Sequence, residues 1–148
     1  MRLAISFLLI VASFAAAAPI PKSMKKSRRS FDGRWELVEM SYDGQNLNSS
    51  SKQYWDIEGT KLSIAYGGQV SSGQNYSWQK PDNSPDEAID WRIEYTNQAA
   101  QPYVYRGLAA LEGDTMIFCF PTNNNAERPP DVTAGKGRYV YTFKKIEK

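Results

Sequence analysis

The sequence predicts one all-β domain, closed into an eight-stranded antiparallel up-and-down barrel. Three observations carry that prediction. From Phe31 onward, eight short apolar-patterned runs alternate with Gly, Asn, Pro and Asp breaks. One predicted run, from Ala88 to Thr96, keeps a clean period of two. Its members Ile89, Trp91, Ile93 and Tyr95 alternate with Asp90, Arg92, Glu94 and Thr96, as a strand with one buried and one wet face must. No window holds a convincing apolar stripe at helical spacing. An aromatic content of 13%, with nine Tyr, points the same way, because aromatic side chains favour strands.

The first predicted run is Gly33–Tyr42, ended by Asp43-Gly44. Its apolar phase slips: Trp35 and Leu37 share one face, while Val38, Met40 and Tyr42 share the other. That slip predicts a bulge or bend. Gln53–Glu58 and Lys61–Tyr66 follow, joined by a tight Gly59-Thr60 turn. A run from Asn75 to Lys80 ends at Pro81. After Ala88 to Thr96 comes Tyr103 to Leu111, and Glu112-Gly113-Asp114 turns the chain into Thr115–Pro121. The last run goes from Gly137 to Ile146. Ser49 to Trp55 is the best helical candidate and allows a short helix or 3₁₀ turn. Closing the eight strands removes exposed sheet edges. A two-sheet sandwich is the alternative.

The 148 residues allow one domain and little more. Lys22, Lys25, Lys26, Arg28 and Arg29 cluster ahead of the domain. From Phe31 onward, 12 basic residues face 16 acidic ones, a net of −4, which argues against nucleic-acid binding. The chain has no His, which removes the commonest general base and most Zn and Fe ligand sets. No cofactor or metal is expected. The single Cys, Cys119, cannot form an intramolecular disulfide, so the core alone must hold the fold.

The N-terminus has the form of an address. Met1-Arg2 precedes an apolar stretch, Leu3 to Phe14, too short for the ~20 residues of a spanning helix, and Ala15 to Ala18 offers small residues for cleavage. Residues 1–17 read as a secretory signal peptide, and the protein as periplasmic or secreted, without a transmembrane segment in its mature form. Residues 18–30 (APIPKSMKKSRRS) read as a disordered basic tether, fit to meet an anionic surface or simply solvated. The domain spans 31–148.

Three stretches resemble a known family. They are Phe31-Asp32-Gly33-Arg34-Trp35-Glu36-Leu37-Val38, then Leu111-Glu112-Gly113-Asp114-Thr115-Met116-Ile117-Phe118-Cys119-Phe120, and finally Glu127-Arg128-Pro129-Pro130 with the closing Tyr139-Val140-Tyr141-Thr142-Phe143-Lys144-Lys145. Together they resemble the planctomycete-type uncharacterised small domain family, whose members look like exported lipocalin-like barrels. The resemblance implies a bacterial source, so Asn48-Ser49-Ser50 and Asn75-Tyr76-Ser77 are chance matches to the glycosylation pattern. Gly33-x-Trp35 is also similar to the G-x-W opening of calycin barrels, where the Trp plugs one end under a basic residue of the last strand. Arg138 is the candidate for that residue by position, with Lys144 as rival. The T-D-Y motif of true lipocalins is absent.

Trp35, Trp91, Tyr95, Tyr105, Tyr139 and Tyr141 are candidate lining for an apolar or amphipathic ligand. Barrels of eight strands sit at the size where side chains fill the interior or leave room for one small molecule. The alternative is that these aromatics are core. Cys119, between Phe118 and Phe120, reads as buried and inert. Residues 122–136 form a long polar loop, in which Arg128 either clamps an anion or braces the barrel. Asp86-Glu87 and Asp90-Glu94 are carboxylate pairs, the second on a wet strand face. The expected function is a non-enzymatic binding module for a small apolar or amphipathic ligand, or else an interaction domain acting through the 122–136 loop.

Overall fold

The computed structural model describes residues 30–48, 51–84, 86–96 and 101–147. The expected signal peptide (1–17) and the basic segment 18–30, apart from Ser30, lie outside the described residues, as do Ser49 and Ser50. Among the described residues the chain forms ten strands and no helix. They are β1 (Gly33–Tyr42), β2 (Gln45–Leu47), β3 (Gln53–Glu58), β4 (Lys61–Tyr66), β5 (Gln69–Val70), β6 (Gln74–Gln79), β7 (Ala88–Tyr95), β8 (Tyr103–Glu112), β9 (Thr115–Pro121) and β10 (Arg138–Ile146).

Eight of these close a ring in chain order, β1-β3-β4-β6-β7-β8-β9-β10, and β10 returns antiparallel to β1. This is the closed up-and-down barrel the sequence predicts, and not the sandwich. The predicted runs hold to within a residue or so at their ends. β2 and β5 are additions of three and two residues that each pair with a single neighbour. They fold back across Asp43-Gly44 and Gly67-Gly68, four residues all at positive φ, as type I′ turns require. Such short pieces bury too little to leave a pattern. The helical alternative before Trp55 is absent from the described residues: Gln53, Trp55 and Ile57 are buried every second residue, which only a strand delivers.

The phase slip in β1 is a bulge. Leu37 opposes Phe143 and Glu39 opposes Thr142, so Val38 is the extra residue. It is 52% exposed. Beyond it the phase is reset, and Met40 and Tyr42 face the inward-pointing Tyr141 and Tyr139. Without the bulge those two side chains would turn outward.

The inner face changes character along the barrel axis. One end is closed by Trp35, which is 1% exposed and donates its indole N–H to the Phe31 carbonyl at 2.7 Å. Asp32 anchors the same end, accepting from the Gly59 amide and the Ser30 hydroxyl, each at 2.7 Å. These bonds, the Ser30 hydroxyl first, hold its carboxyl below the ordinary value. The middle is packed with rings around Trp55, whose neighbours include Phe143 at 4.7 Å, Trp91 at 5.2 Å and Phe118 at 6.0 Å between centroids. Gly107 makes room for this layer. A Cβ there would collide with the Phe118 ring and come within 2.7 Å of the Cys119 carbonyl.

The outer face carries a second layer. Ala88, Leu108, Cys119, Val140 and Ser41 form one cross-strand row from β7 to β1, all facing away from the interior. All five are nevertheless buried. The 122–137 segment lies against the outer wall. It is sewn down by the Asn125 amide to the Val104 carbonyl at 2.8 Å, by Arg128, and by a 2.9 Å ion pair of Asp131 with Arg138.

Candidate ligand-binding site

The other end of the barrel is lined with tyrosine. Strand direction alternates, so residues that finish β1, β4 and β7, or open β6, β8 and β10, meet at one rim. Tyr42, Tyr66 and Tyr95 finish strands there. Tyr76, Tyr103, Tyr105, Tyr139 and Tyr141 lie at or near strand starts, in phase with inward neighbours. Eight of the nine tyrosines thus occupy one end of the inner face. The ninth, Tyr54, is on the outer wall beneath the Arg34 guanidinium, 5.0 Å from its ring centroid.

These rings stand on the packed middle layer. Tyr105 lies 5.4 Å from Trp91, Tyr139 5.3 Å from Phe120, and Tyr141 6.1 Å from Trp55. This end of the inner face therefore presents aromatic rings, with hydroxyls toward the rim and the indoles of Trp55 and Trp91 packed behind them. Gln53, buried beside it, and Gln74 are amides at this end. Among the described residues no carboxylate or cation lines it. The Tyr76 hydroxyl is held by Gln74 and by Ser71.

The hydroxyls are close enough to feel one another. Burial raises the Tyr141 phenol above its ordinary 10.0, and nearby Tyr66, Tyr139 and Tyr105 add to the rise. Tyr105 and Tyr66 shift upward too, with burial again the first cause. The folded chain thus holds these protons more tightly than the unfolded chain. Their contribution to stability is complete below pH 10.0 and is lost as pH rises beyond it. Urea midpoints measured across the alkaline range should fall above that pH, and Tyr141→Phe should flatten the fall. A midpoint that stays level into strong alkali would contradict this.

The structure brings together five of the six aromatics picked from the sequence. Trp91, Tyr95, Tyr105, Tyr139 and Tyr141 serve the mouth or pack behind it. Trp35 lies at the closed end. Sequence reasoning missed Tyr42, Tyr66, Tyr76 and Tyr103, and the central role of Trp55. A signal exists for three of them: Tyr42, Tyr66 and Tyr103 are the last or first in-phase residues of their strands.

At the closed end, the cation over Trp35 is Lys145, with Nζ 5.3 Å from the ring centroid. It is neither Arg138 nor Lys144. Register decides this, because Lys145 opposes Trp35 across the β1–β10 pairing, whereas Arg138 starts β10 at the mouth end and pairs with Asp131. Lys144 is one residue out of phase and bonds the Thr115 hydroxyl. Gly33 is needed beside this pair. Its φ is +132°, and a Cβ there would lie 2.8 Å from Lys145 Cε.

The other candidates are engaged outside the barrel. Arg128 donates to the Ile89 carbonyl at 3.0 Å, to the Gly107 carbonyl, and to the Asp90 carboxylate at 2.8 Å. Glu94 pairs with Arg92 and Asp86 with Lys80, each at 2.7 Å. Cys119 is fully buried beneath the outer segment, and that burial pushes its thiol upward. No group of three or more His, Cys, Asp or Glu among the described residues could hold a metal ion. Two concavities flank the wall. One, of about 210 Å³, lies between Pro121, Arg128, Pro130 and Arg138. The other, of about 620 Å³, is an open groove beside the bulge, between Val38, Glu39, Leu47 and Lys52. Both mix apolar surface with charge, unlike the mouth.

Fold and site together define a closed, lipocalin-like antiparallel barrel with one plugged end and one tyrosine-lined end. No family model matches the chain, and neither a curated protein nor a solved structure matches it. No helix among the described residues is long and apolar enough to cross a membrane.

Proposed function

We propose that this protein is an exported, non-enzymatic binding module that takes a small amphipathic ligand at the tyrosine-lined mouth. The observation that carries this reading is the gathering of eight tyrosines at one end of the inner face, with indoles packed behind them. Tyrosine supplies a large flat contact with a polar tip at low entropic cost, which suits a ligand with an apolar plane and a polar edge. Tyr66, Tyr105 and Tyr141 hold their protons more tightly than usual, the opposite of what a catalytic acid or base needs. The proposal keeps the family resemblance and the export address read from the sequence. Lys22, Lys25, Lys26, Arg28 and Arg29 would hold the domain beside an anionic surface, at about 1 kcal/mol per charge.

N-Phenylnaphthylamine, an uncharged amphipathic dye, tests the reading. Its fluorescence should rise on binding. Tyr105→Ser combined with Tyr139→Ser should weaken it about tenfold, the effect of losing roughly 1.4 kcal/mol of contact. If shortening the 122–136 loop abolishes binding while the mouth variant leaves it intact, the loop is the recognition element instead.

A further inference from the structure

The pairing along β1 is interrupted on one side. On the side away from β10, residues 33–36 pair with β3 and residues 40–42 pair with β2. Leu37, Val38 and Glu39 lie between these stretches, with no strand partner on that side among the described residues. The open groove of about 620 Å³ lies at this interruption. One lip is β1 at Val38 and Glu39, and the other carries Asn46, Leu47, Asn48 and Lys52. The bulge leaves Val38 52% exposed, and Leu47 is 38% exposed. Exposed apolar side chains are ordinary when scattered, but two of them in one concavity form a patch that a partner can cover. β2 runs beside them as the last strand on the sheet path, paired with β1 alone. Its Gln45, Asn46 and Leu47 are all exposed and include neither a charge nor a Pro, the usual devices that keep an edge from associating.

We propose that the groove beside Val38 docks a second copy of this chain, face to face about a two-fold axis that runs along the groove. The argument is self-complementarity, which a two-fold interface requires. Such an axis sets each lip against the opposite lip of the other copy. Glu39 is exposed and takes part in no ion pair among the described residues. Across the axis it meets the partner's Lys52, and the same contact forms twice. Lys52 already lies 3.2 Å from Glu36, but its side chain is 72% exposed, so its ammonium keeps donors for a second carboxylate. Val38 of each copy comes against the partner's Leu47. The amides of Asn46 and Asn48 both donate and accept, so two copies of the same lip do not leave them mismatched. An uncharged small guest would leave Glu39 without a cation. The groove has nine lining residues, whereas a stable interface uses about 20–30 a side, so the dimer is weak. Its Kd is on the order of 100 μM. This reading is independent of the mouth, which lies on the inner face.

The test is sedimentation velocity of the full chain across a concentration series reaching about 1 mM, where a dimer of this affinity is mostly formed. The wild-type chain should pass from monomer to dimer. Glu39→Lys alone, or Lys52→Glu alone, should weaken association about tenfold, because each sets like charges together at two symmetric contacts. An equimolar mixture of the two variants should recover it, because each copy then offers the charge that the other lacks. Leu47→Lys should also keep the chain monomeric. All three substitutions lie at exposed positions, and circular dichroism should show an unchanged fold. A wild-type chain that stays monomeric throughout the series would overturn the proposal. So would a dimer whose affinity is the same in all three variants, since its interface would then lie on another face. If the chain stays monomeric and N-phenylnaphthylamine instead moves the Val38 and Leu47 signals, the groove takes a small guest and the second copy is ruled out.

Discussion

Trp55→Ala should cost the domain about 3–5 kcal/mol, the usual range for truncating a buried large aromatic. Trp55 is fully buried. Its indole touches rings from five directions: Trp78 at 5.9 Å, Trp91 at 5.2 Å, Phe118 at 6.0 Å, Tyr141 at 6.1 Å and Phe143 at 4.7 Å. These neighbours come from β6, β7, β9 and β10, so the ring joins opposite walls of the barrel. They are themselves large and mutually braced, and they cannot collapse into the space an alanine would leave. A domain of this size has roughly 5–15 kcal/mol of stability in all, with no disulfide in reserve. Urea unfolding followed by circular dichroism should show a much lower midpoint, or a chain already partly unfolded. Trp55→Phe keeps a ring and should cost less than half as much. A loss under about 1 kcal/mol for the alanine variant would mean that the interior is loosely filled.

Arg128→Met should cost about 2–3 kcal/mol, a partly screened version of breaking a buried ion pair. The guanidinium serves two main-chain carbonyls, on β7 and β8, and the Asp90 carboxylate. Its side chain is 21% exposed and that of Asp90 28%, so solvent offsets part of the loss. Met retains much of the apolar stem, so the cost arises from acceptors left unpaired. The consequence reaches beyond stability. The 122–137 segment lies against the outer row of Ala88, Leu108, Cys119, Val140 and Ser41, and Arg128 is its chief tie to β7 and β8. Without that tie the segment should lift more often, and native-state labelling of Cys119 by a thiol reagent should accelerate. Asp90→Asn should reproduce the destabilisation in part, because one acceptor oxygen remains. Unchanged labelling in Arg128→Met would show that the segment is held mainly by its other bonds.

The legible part of this fold is the part governed by period and punctuation. Asp43-Gly44, Gly59-Thr60 and Gly113-Asp114 mark turns because they adopt or border backbone conformations that favour Gly and Asp. Ile89, Trp91, Ile93 and Tyr95 announce an inner face by simple alternation. The slip at Val38 announces the bulge before any register is known. β9 shows where alternation stops being informative. Met116, Phe118 and Phe120 face inward, yet Cys119 and Pro121 are buried as well, because the outer segment covers them. In the sequence this appears only as an unbroken apolar run, the mark of a strand buried on both faces. The cation over Trp35 was not legible from position alone. Arg138, Lys144 and Lys145 all belong to the last strand, and only its register with β1 selects Lys145. The mouth was half legible. Tyrosines at strand ends look like ordinary rim residues until the strand directions bring them to one end.

The most direct test of the account is a titration of the full chain with N-phenylnaphthylamine, read from assigned tyrosine ring signals. Binding at the mouth predicts that Tyr105, Tyr139 and Tyr141 move first and saturate together, while Tyr54 on the outer wall stays in place. Signals that move only in the 122–136 loop, in the groove beside Val38, or in Tyr54 as much as in the mouth would contradict it.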